Sequence, residues 1–410
     1  MGDHHLVAAL TKEPKLQNFI SFGKSEDFTK VGKLHHLHKQ LTHGSNNTEY
    51  QVDVQPKTSL CTTLNGYMDF DVPRSIDTME EMSLRLTFAN ATGNDLVMGN
   101  SYFIPEWVEI YSGSKSICKL TDTELFYWWA LDRTSDEFAD DAALFNVGTS
   151  WGAGQTVATT QSQTLYVDIG GCMKQIELHP VLLRDPLWVR VQFKTLAKSV
   201  DSCTTTSGLT LTAASLRIKD RRLTPDEFHK AEQVYHEGVG LKYIYTKWIA
   251  WDQTITTTAP LSKILDSMQG ACLGLFTFIR ATSVTSAQVS RTFTNPAFPY
   301  SETLEIKDEL GSNIFNGIVF TNRELKALHG GKIGSTLFAN LNIIPIVWSK
   351  DMRKSIDVGV HDGFHYLSGK ETFTLKTEVD TGHSSVTTTM VGFYQGIMKI
   401  QNGELYPMLS

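Results

Sequence analysis

A pattern that occurs twice constrains this chain more than anything else in it. Val108-Glu-Ile110 alternates apolar and polar, a turn follows at SGSK, an alternating run returns through Ile117 and Leu120, and Thr121-Asp-Thr-Glu124-Leu125 comes next. About two hundred residues later the order repeats: Leu304-Glu-Ile306, a turn at Asp308 to Asn313, a returning run through Ile318 to Phe320, and Thr321-Asn-Arg-Glu324-Leu325. Alternation with period two is the pattern of a strand with one buried face, and two such runs around a turn predict a hairpin. Thr-x-x-Glu is a capping box, in which hydroxyl and carboxylate satisfy helix N-terminal amides, so each hairpin should lead into a short helix. In the first copy that helix carries the apolar run LFYWWAL and should be buried.

Two further correspondences keep the same order. NIIPIVWSKD, a Gly-containing loop and a strand at Phe373 and Leu375 stand where LYVDIGG, a loop and LWVRVQF stood before. Ile218 to Pro225 (IKDRRLTP) matches Ile400 to Pro407 (IQNGELYP). Three matches in one order predict a duplicated β-domain. Other strands are legible alone: Met82, Leu84, Leu86 and Phe88 alternate with Ser83, Arg85 and Thr87, and Leu187, Val189, Val191 and Phe193 with Trp188, Arg190 and Gln192. Between the halves, Thr224-Pro-Asp-Glu227 is another capping box with Pro at the first helical position, predicting a helix to about Glu237 that stops at Gly238. A chain of 410 residues suits two domains. The expected division is an N-terminal arm over 1–50, a first eight-stranded sandwich over 51–223, a linker helix over 224–238 and a second sandwich over 239–410.

Charge and cysteine usage narrow the function. The formal charge of −7 is spread along the chain, so no basic field draws the bulk of the protein onto nucleic acid. Cys61, Cys118, Cys172, Cys203 and Cys272 are scattered without a CxxC pair, which fits reduced thiols in a cytosol-like compartment. The first thirty residues hold no cleavable apolar core, and no run approaches the roughly twenty apolar residues of a membrane span, so neither signal-peptide secretion nor an integral membrane protein is expected. The sequons at Asn46 and Asn90 carry little meaning at this length. The arm holds six of the thirteen histidines. His35, His36, His38 and His43 have no Cys or carboxylate at a chelating spacing, so they predict a polar arm and not a metal site. Leu6 to Ile20 is weakly amphipathic and could lie under a shell or on a membrane surface.

The search for chemistry returns little. GxxxxGK[ST], HExxH, GxSxG and zinc-deaminase motifs are absent from the sequence. Gly330 to Thr336 (GGKIGST) reads as a Gly-rich turn, and Asp140 and Asp141 as solvated loop carboxylates. Asp357 to Asp362 has part of a calcium-loop spacing without the terminal bidentate Glu. His361, His365 and His383 are either a pH-responsive cluster or isolated loop positions. Trp128 and Trp129 read as core or interface anchors, and the spacing of Trp248 and Trp251 puts one ring on each side of a strand. The expectation is a protein that is not an enzyme, with no catalytic, cofactor-binding or metal-ligating residues.

This series of elements resembles the double jelly-roll major capsid proteins of icosahedral DNA viruses, a lineage that includes nucleocytoplasmic large DNA viruses, adenoviruses, Polinton-like viruses, virophages and tectivirus-like phages. Four stretches carry the resemblance: VEIYSGSKSICKL leading into the aromatic helix Glu124 to Leu131, LYVDIGGCMKQIELHPVLLRDPLWVRVQF, the linker DEFHKAEQVYHEG, and MVGFYQGIMKIQNGELYP with Asn402-Gly403 as its turn. It covers nearly the whole chain after the arm. The family's aromatic Pro-Phe-Trp stretch is replaced by Val167-Asp-Ile-Gly170, which leaves the viral subgroup open. The resemblance implies an all-β fold of two tandem eight-stranded antiparallel jelly rolls with a few short helices. It also implies a subunit that trimerises into pseudo-hexagonal capsomers of a virion capsid, assembled in the host cytoplasm or a virus factory. Its implied partners are itself, neighbouring capsomers, minor capsid, penton or cement proteins and, through the arm, an internal membrane, with no sequence-specific nucleic acid binding. Loops 133–162 and 196–210 would stand at the outer end. The competing reading is a β-sandwich spike or fibre that binds a glycan or receptor, motivated by the aromatics and Thr-rich loops. A carbohydrate-active enzyme ranks last because no carboxylate pair emerges.

Overall fold

The structure is a computed structural model that describes residues 49–98, 100–132, 137, 156–170, 173, 175, 176, 178–202, 208–236, 241–255, 261–281, 301–315, 320–333, 343–357, 359, 361–377 and 386–407. The arm's histidines, Asn46, Asp140, Asp141, His383, Cys172, Cys203 and most of the 133–162 loop lie outside these residues.

The first half contributes β1 (Glu49–Val54), β2 (Tyr67–Asp71), β3 (Met79–Asn90), β4 (Leu96–Met98), β5 (Pro105–Ser112), β6 (Lys115–Thr121), helix α1 (Asp122–Asp132), β7 (Thr156–Val157), β8 (Ser162–Asp168), β9 (Leu187–Phe193), the short α2 (Leu196–Ser199), β10 (Val200–Ser202) and β11 (Leu209–Arg221). Helix α3 (Pro225–His236) follows. The second half contributes β12 (Leu241–Ile255), β13 (Leu261–Ile264), β14 (Gln269–Ala281), β15 (Ser301–Lys307), β16 (Phe320–Thr321), α4 (Asn322–Gly330), β17 (Ile343–Val347), α5 (Met352–Asp357), β18 (His365–Ser368), β19 (Thr372–Thr377), β20 (Val386–Gln401) and β21 (Glu404–Pro407).

The sheets repeat strand for strand. In the first half the orders are β1-β11-β3-β8 and β2-β9-β5-β6; in the second they are β12-β20-β14-β17 and β13-β19-β15-β16. The pairings are antiparallel and, among the described residues, none joins a strand before α3 to one after it. Eight strands in two sheets, twice, make two tandem jelly rolls, and the second adds β18 on β14 and β21 on β20 to bring its first sheet to six strands. The matches read from sequence fall on equivalent strands: β5 with β15, β8 with β17, β9 with β19, and the ends of β11 and β20. Past those ends the halves diverge, since β11 leads into α3 and β20 turns back as the hairpin β20–β21. Strands β4, β7 and β10 form a small extra sheet, so the 196–210 stretch expected as loop holds α2 and β10.

The alternation works as physics requires. Along β3, Met82, Leu84, Leu86 and Phe88 are buried while their neighbours are half-buried or exposed, and β9 follows the same rule. These side chains meet Met68, Phe70, Val108 and Ile110 from the facing sheet in one core. A second core gathers Leu275, Ile344, Ile346, Met390 and Tyr394 against Leu304, Ile306 and Phe373. Both linker and hairpin helices start at the expected boxes. The Thr224 amide donates to Glu227 Oε2 at 2.8 Å with the Glu227 amide returning to Thr224 Oγ1, and Thr321 with Glu324 makes the same reciprocal pair. One boundary shifts: β1 begins at Glu49, inside the expected arm. Among the described residues it pairs with β11 alone; Gln51 and Asp53 are exposed and Val52 and Val54 half-buried, an alternation that EYQVDV carries in full and that the expected arm boundary cut through.

Candidate functional site

The most elaborate chemistry in the molecule lies along the seam where the two sandwiches meet. Helix α1 is the wedge. Its inward residues complete the first core, with Trp129 stacked on Tyr102 at 4.8 Å and Phe126 tilted against Phe103 at 5.0 Å. Its other side packs on the outer face of the second sandwich. Trp128 meets Trp248 of β12 edge-on at 5.1 Å and Phe393 of β20 at 6.3 Å, while Tyr127 meets Phe276 of β14 at 6.1 Å. The rings of Trp248 and Trp251 lie on opposite faces of β12: Trp248 packs on the core shared with the first sandwich, and Trp251 packs against Phe373 inside the second. The first core therefore runs across the seam, reaching Leu273, Phe276, Val391 and Phe393.

A polar pin stands beside this wedge. Gln175, from the connection after β8, accepts the Thr246 amide of β12 at 2.6 Å and donates to the carbonyl of Ser355 at 3.0 Å and to that of Ile356, both in α5. Thr246 Oγ1 donates to Ser355 O at 2.6 Å and lies 3.0 Å from His361 Nε2. Because that hydroxyl proton is committed to Ser355, the imidazole donates, which assigns the Nε2–H tautomer by its hydrogen bonds. Burial pushes His361 down to about 4, so it stays neutral. Sequence reasoning missed this pin, because an amide's partners in a distant strand and helix leave no local signal. At the base of the seam the β20–β21 turn, Asn402 (φ 53°) and Gly403 (φ 72°), docks on the first half: Arg184 N donates to Gly403 O at 2.8 Å. Glu404 bridges Lys115 and Arg184, each at 3.0 Å, and Arg353 of α5 reaches Glu137 at 2.8 Å.

Glu124 is an acidic group buried in the wedge. Its Oε2 accepts the Thr121 amide at 2.6 Å, and the Trp248 indole, which donates to Lys119 O at 3.2 Å, also reaches its carboxyl. Burial raises its pKa from 4.5 to about 7 against these lowering bonds, with neighbouring Asp122 adding to the rise. A raised carboxyl pKa means the fold holds a proton that the unfolded chain releases. Its stabilising contribution is therefore complete below about pH 4.5, declines as pH rises toward about 7, and is flat above. The span corresponds to on the order of 3 kcal/mol. The expected result is that Glu124→Gln removes this decline: denaturant titrations at pH 5 and pH 8 should differ less for the variant than for the wild type. Parallel pH profiles for the two proteins would refute it.

The remaining sequence candidates do not converge. His365 stacks on Trp348 at 5.1 Å, away from the Thr246 contact of His361, so these two form no cluster. Asp362 Oδ1 accepts Ser349 Oγ and the Lys350 amide, which caps the loop after β17. Asn90 is buried, with its amide donating to Asn94 O and Val157 O and its oxygen accepting from Thr92, so its sequon is occupied by structure. Residues 331–333 form a turn after α4. Among the described residues Cys61, Cys118 and Cys272 form no disulfide. Among the described residues no group of three or more His, Cys, Asp or Glu side chains gathers to hold a metal, and no helix is long and apolar enough to cross a membrane.

Solved structures share this architecture. VP54 of PBCV-1, a crystal structure fitted into a cryo-EM reconstruction of the virophage Sputnik, is similar with a TM-score of 0.72, 11% identity, and coverage of 89% of this chain and 97% of that one. The Faustovirus major capsid protein gives 0.63 at 7% identity over 87% and 91%, and the mavirus major capsid protein 0.52 at 11% over 88% and 90%. No protein-family model and no curated protein matches the chain. The fold is the double jelly roll of these capsid proteins.

Proposed function

We propose that this chain is a major capsid protein, a structural subunit that trimerises into pseudo-hexagonal capsomers of an icosahedral viral shell. The observation that carries the reading is the pair of jelly rolls with identical strand orders, fused through one core into a single block. Solved proteins of this fold that match over nearly their whole length are major capsid proteins, which supports the same role here. The proposed parts are an arm that ends where β1 begins at Glu49, a first jelly roll from there to 223, the linker helix at 224–238 and a second jelly roll at 239–410. The described side chains gather into hydrophobic packing and structural hydrogen bonds, which supports a building block over an enzyme. Minor capsid proteins, and an internal membrane met through the arm, are the further proposed partners, with assembly in the host cytoplasm or a virus factory.

One observation favours the receptor-binding alternative. On the outer face of β2-β9-β5-β6, Tyr111 stacks on Trp188 at 4.0 Å and the Arg190 guanidinium lies 4.4 Å over Tyr67, a flat aromatic surface of the kind that sugars stack on. Light scattering of the purified full chain separates the readings. A stable species of about three times 45.8 kDa supports the shell subunit, while a monomer that binds a glycan overturns it.

A further inference from the structure

The duplicated fold shows one surface twice, covered in the first half and, among the described residues, bare in the second. Helices α1 and α4 follow equivalent strands, β6 and β16, and begin at equivalent capping boxes. Four residues past Glu124 stands Trp128, 4% exposed and wedged against Trp248 and Phe393. Four residues past Glu324 stands Leu328, 53% exposed. The next position turns inward in both copies: Trp129 stacks on Tyr102, and His329 is buried with its Nδ1 accepting the Val347 amide at 3.3 Å. The ridge of α4 is thus the ridge of α1 without its cover. The two glutamates differ in the same sense, since Glu124 is buried and Glu324 is exposed, its carboxyl held below the usual range by the Thr321 amide and hydroxyl.

We propose that the exposed ridge of α4, centred on Leu328, docks on the outer face of sheet β1-β11-β3-β8 of a second copy of this chain. The contact would repeat between copies the one α1 makes within a copy, and it rests on the shell reading. The receiving sheet is identified by the repeat: α1 abuts β12, β20 and β14, whose equivalents are β1, β11 and β3. Ala213 of β11 is exposed on that sheet, opposite Thr87 of β3, and Arg217 and Arg85 are partly exposed along its outer side. Arg217 is paired with Asp53 at 2.9 Å, so the positive charge that complements the Glu324 carboxylate at the foot of the ridge is that of Arg85. Donor and receiver are different surfaces on different halves, so the contact is head-to-tail, and only a closed ring covers every ridge. Leucine in place of tryptophan makes the contact between copies weaker than the one within, which keeps a free subunit soluble until it assembles.

Two full-length variants test this. Leu328→Arg places a charge at the centre of the contact and is expected to raise the concentration for half-assembly by about tenfold or more in light scattering. Leu328→Cys combined with Ala213→Cys, treated with a short bismaleimide, is expected to give interchain products on a denaturing gel that neither single variant gives. If the wild type is multimeric while Leu328→Arg assembles like it and the double variant yields no interchain product, this contact is wrong and the shell reading stands. A wild type that is monomeric at every concentration overturns both.

Discussion

Replacing Trp128 by alanine is expected to lower the unfolding free energy by about 3–5 kcal/mol, the cost of emptying a large aromatic site that cannot collapse. The site is rigid because its walls come from two sandwiches: Trp248 on one strand and Phe393 on its neighbour, held in register by the β12–β20 ladder. Among the described residues the Trp128 indole N–H has no hydrogen-bond partner. Trp128→Phe therefore keeps a ring in the wedge, gives up no hydrogen bond, and should cost much less, roughly 1 kcal/mol. Urea titration followed by far-ultraviolet circular dichroism reads both variants. Equal losses for alanine and phenylalanine would show that ring packing across the seam is not what Trp128 contributes.

The second large effect is expected at Gly403. A Cβ there would meet Arg184 N and Leu182 O, each at 3.0 Å, and both are backbone atoms that cannot swing aside. The residue also sits at φ 72°, a conformation that costs any L side chain about 1–2 kcal/mol. Strain and overlap together predict that Gly403→Ala loses about 2–4 kcal/mol. Asn402→Gly at the other turn position is the control: φ is 53° there too, glycine accepts it freely, and stability should change little. If alanine at 403 melts with the wild type, the hairpin tip is not seated on the first sandwich as described.

The sequence disclosed what is written locally. One-sided strands announce themselves by alternation, and the capping boxes at Thr121, Thr224 and Thr321 mark helix starts because hydroxyl and carboxylate sit within one turn. The duplication was legible because equivalent strands keep equivalent punctuation. The seam was not. Gln175 reads as an ordinary polar residue until Thr246 and Ser355, 71 and 180 positions away, close around it. Glu124 and Glu324 occupy the same motif and differ only in what covers them, which no window of sequence records. Trp128 was expected as an anchor, yet only the fold shows that its partner is the other half of the same chain.

Because the wedge, the Gln175 pin and the docked turn all tie one sandwich to the other, bending between the halves would have to break all three contacts together. A surface assembled from such units would be faceted, flat where tiles abut and creased where they meet, with every change of angle taken up at the borders and none inside a tile.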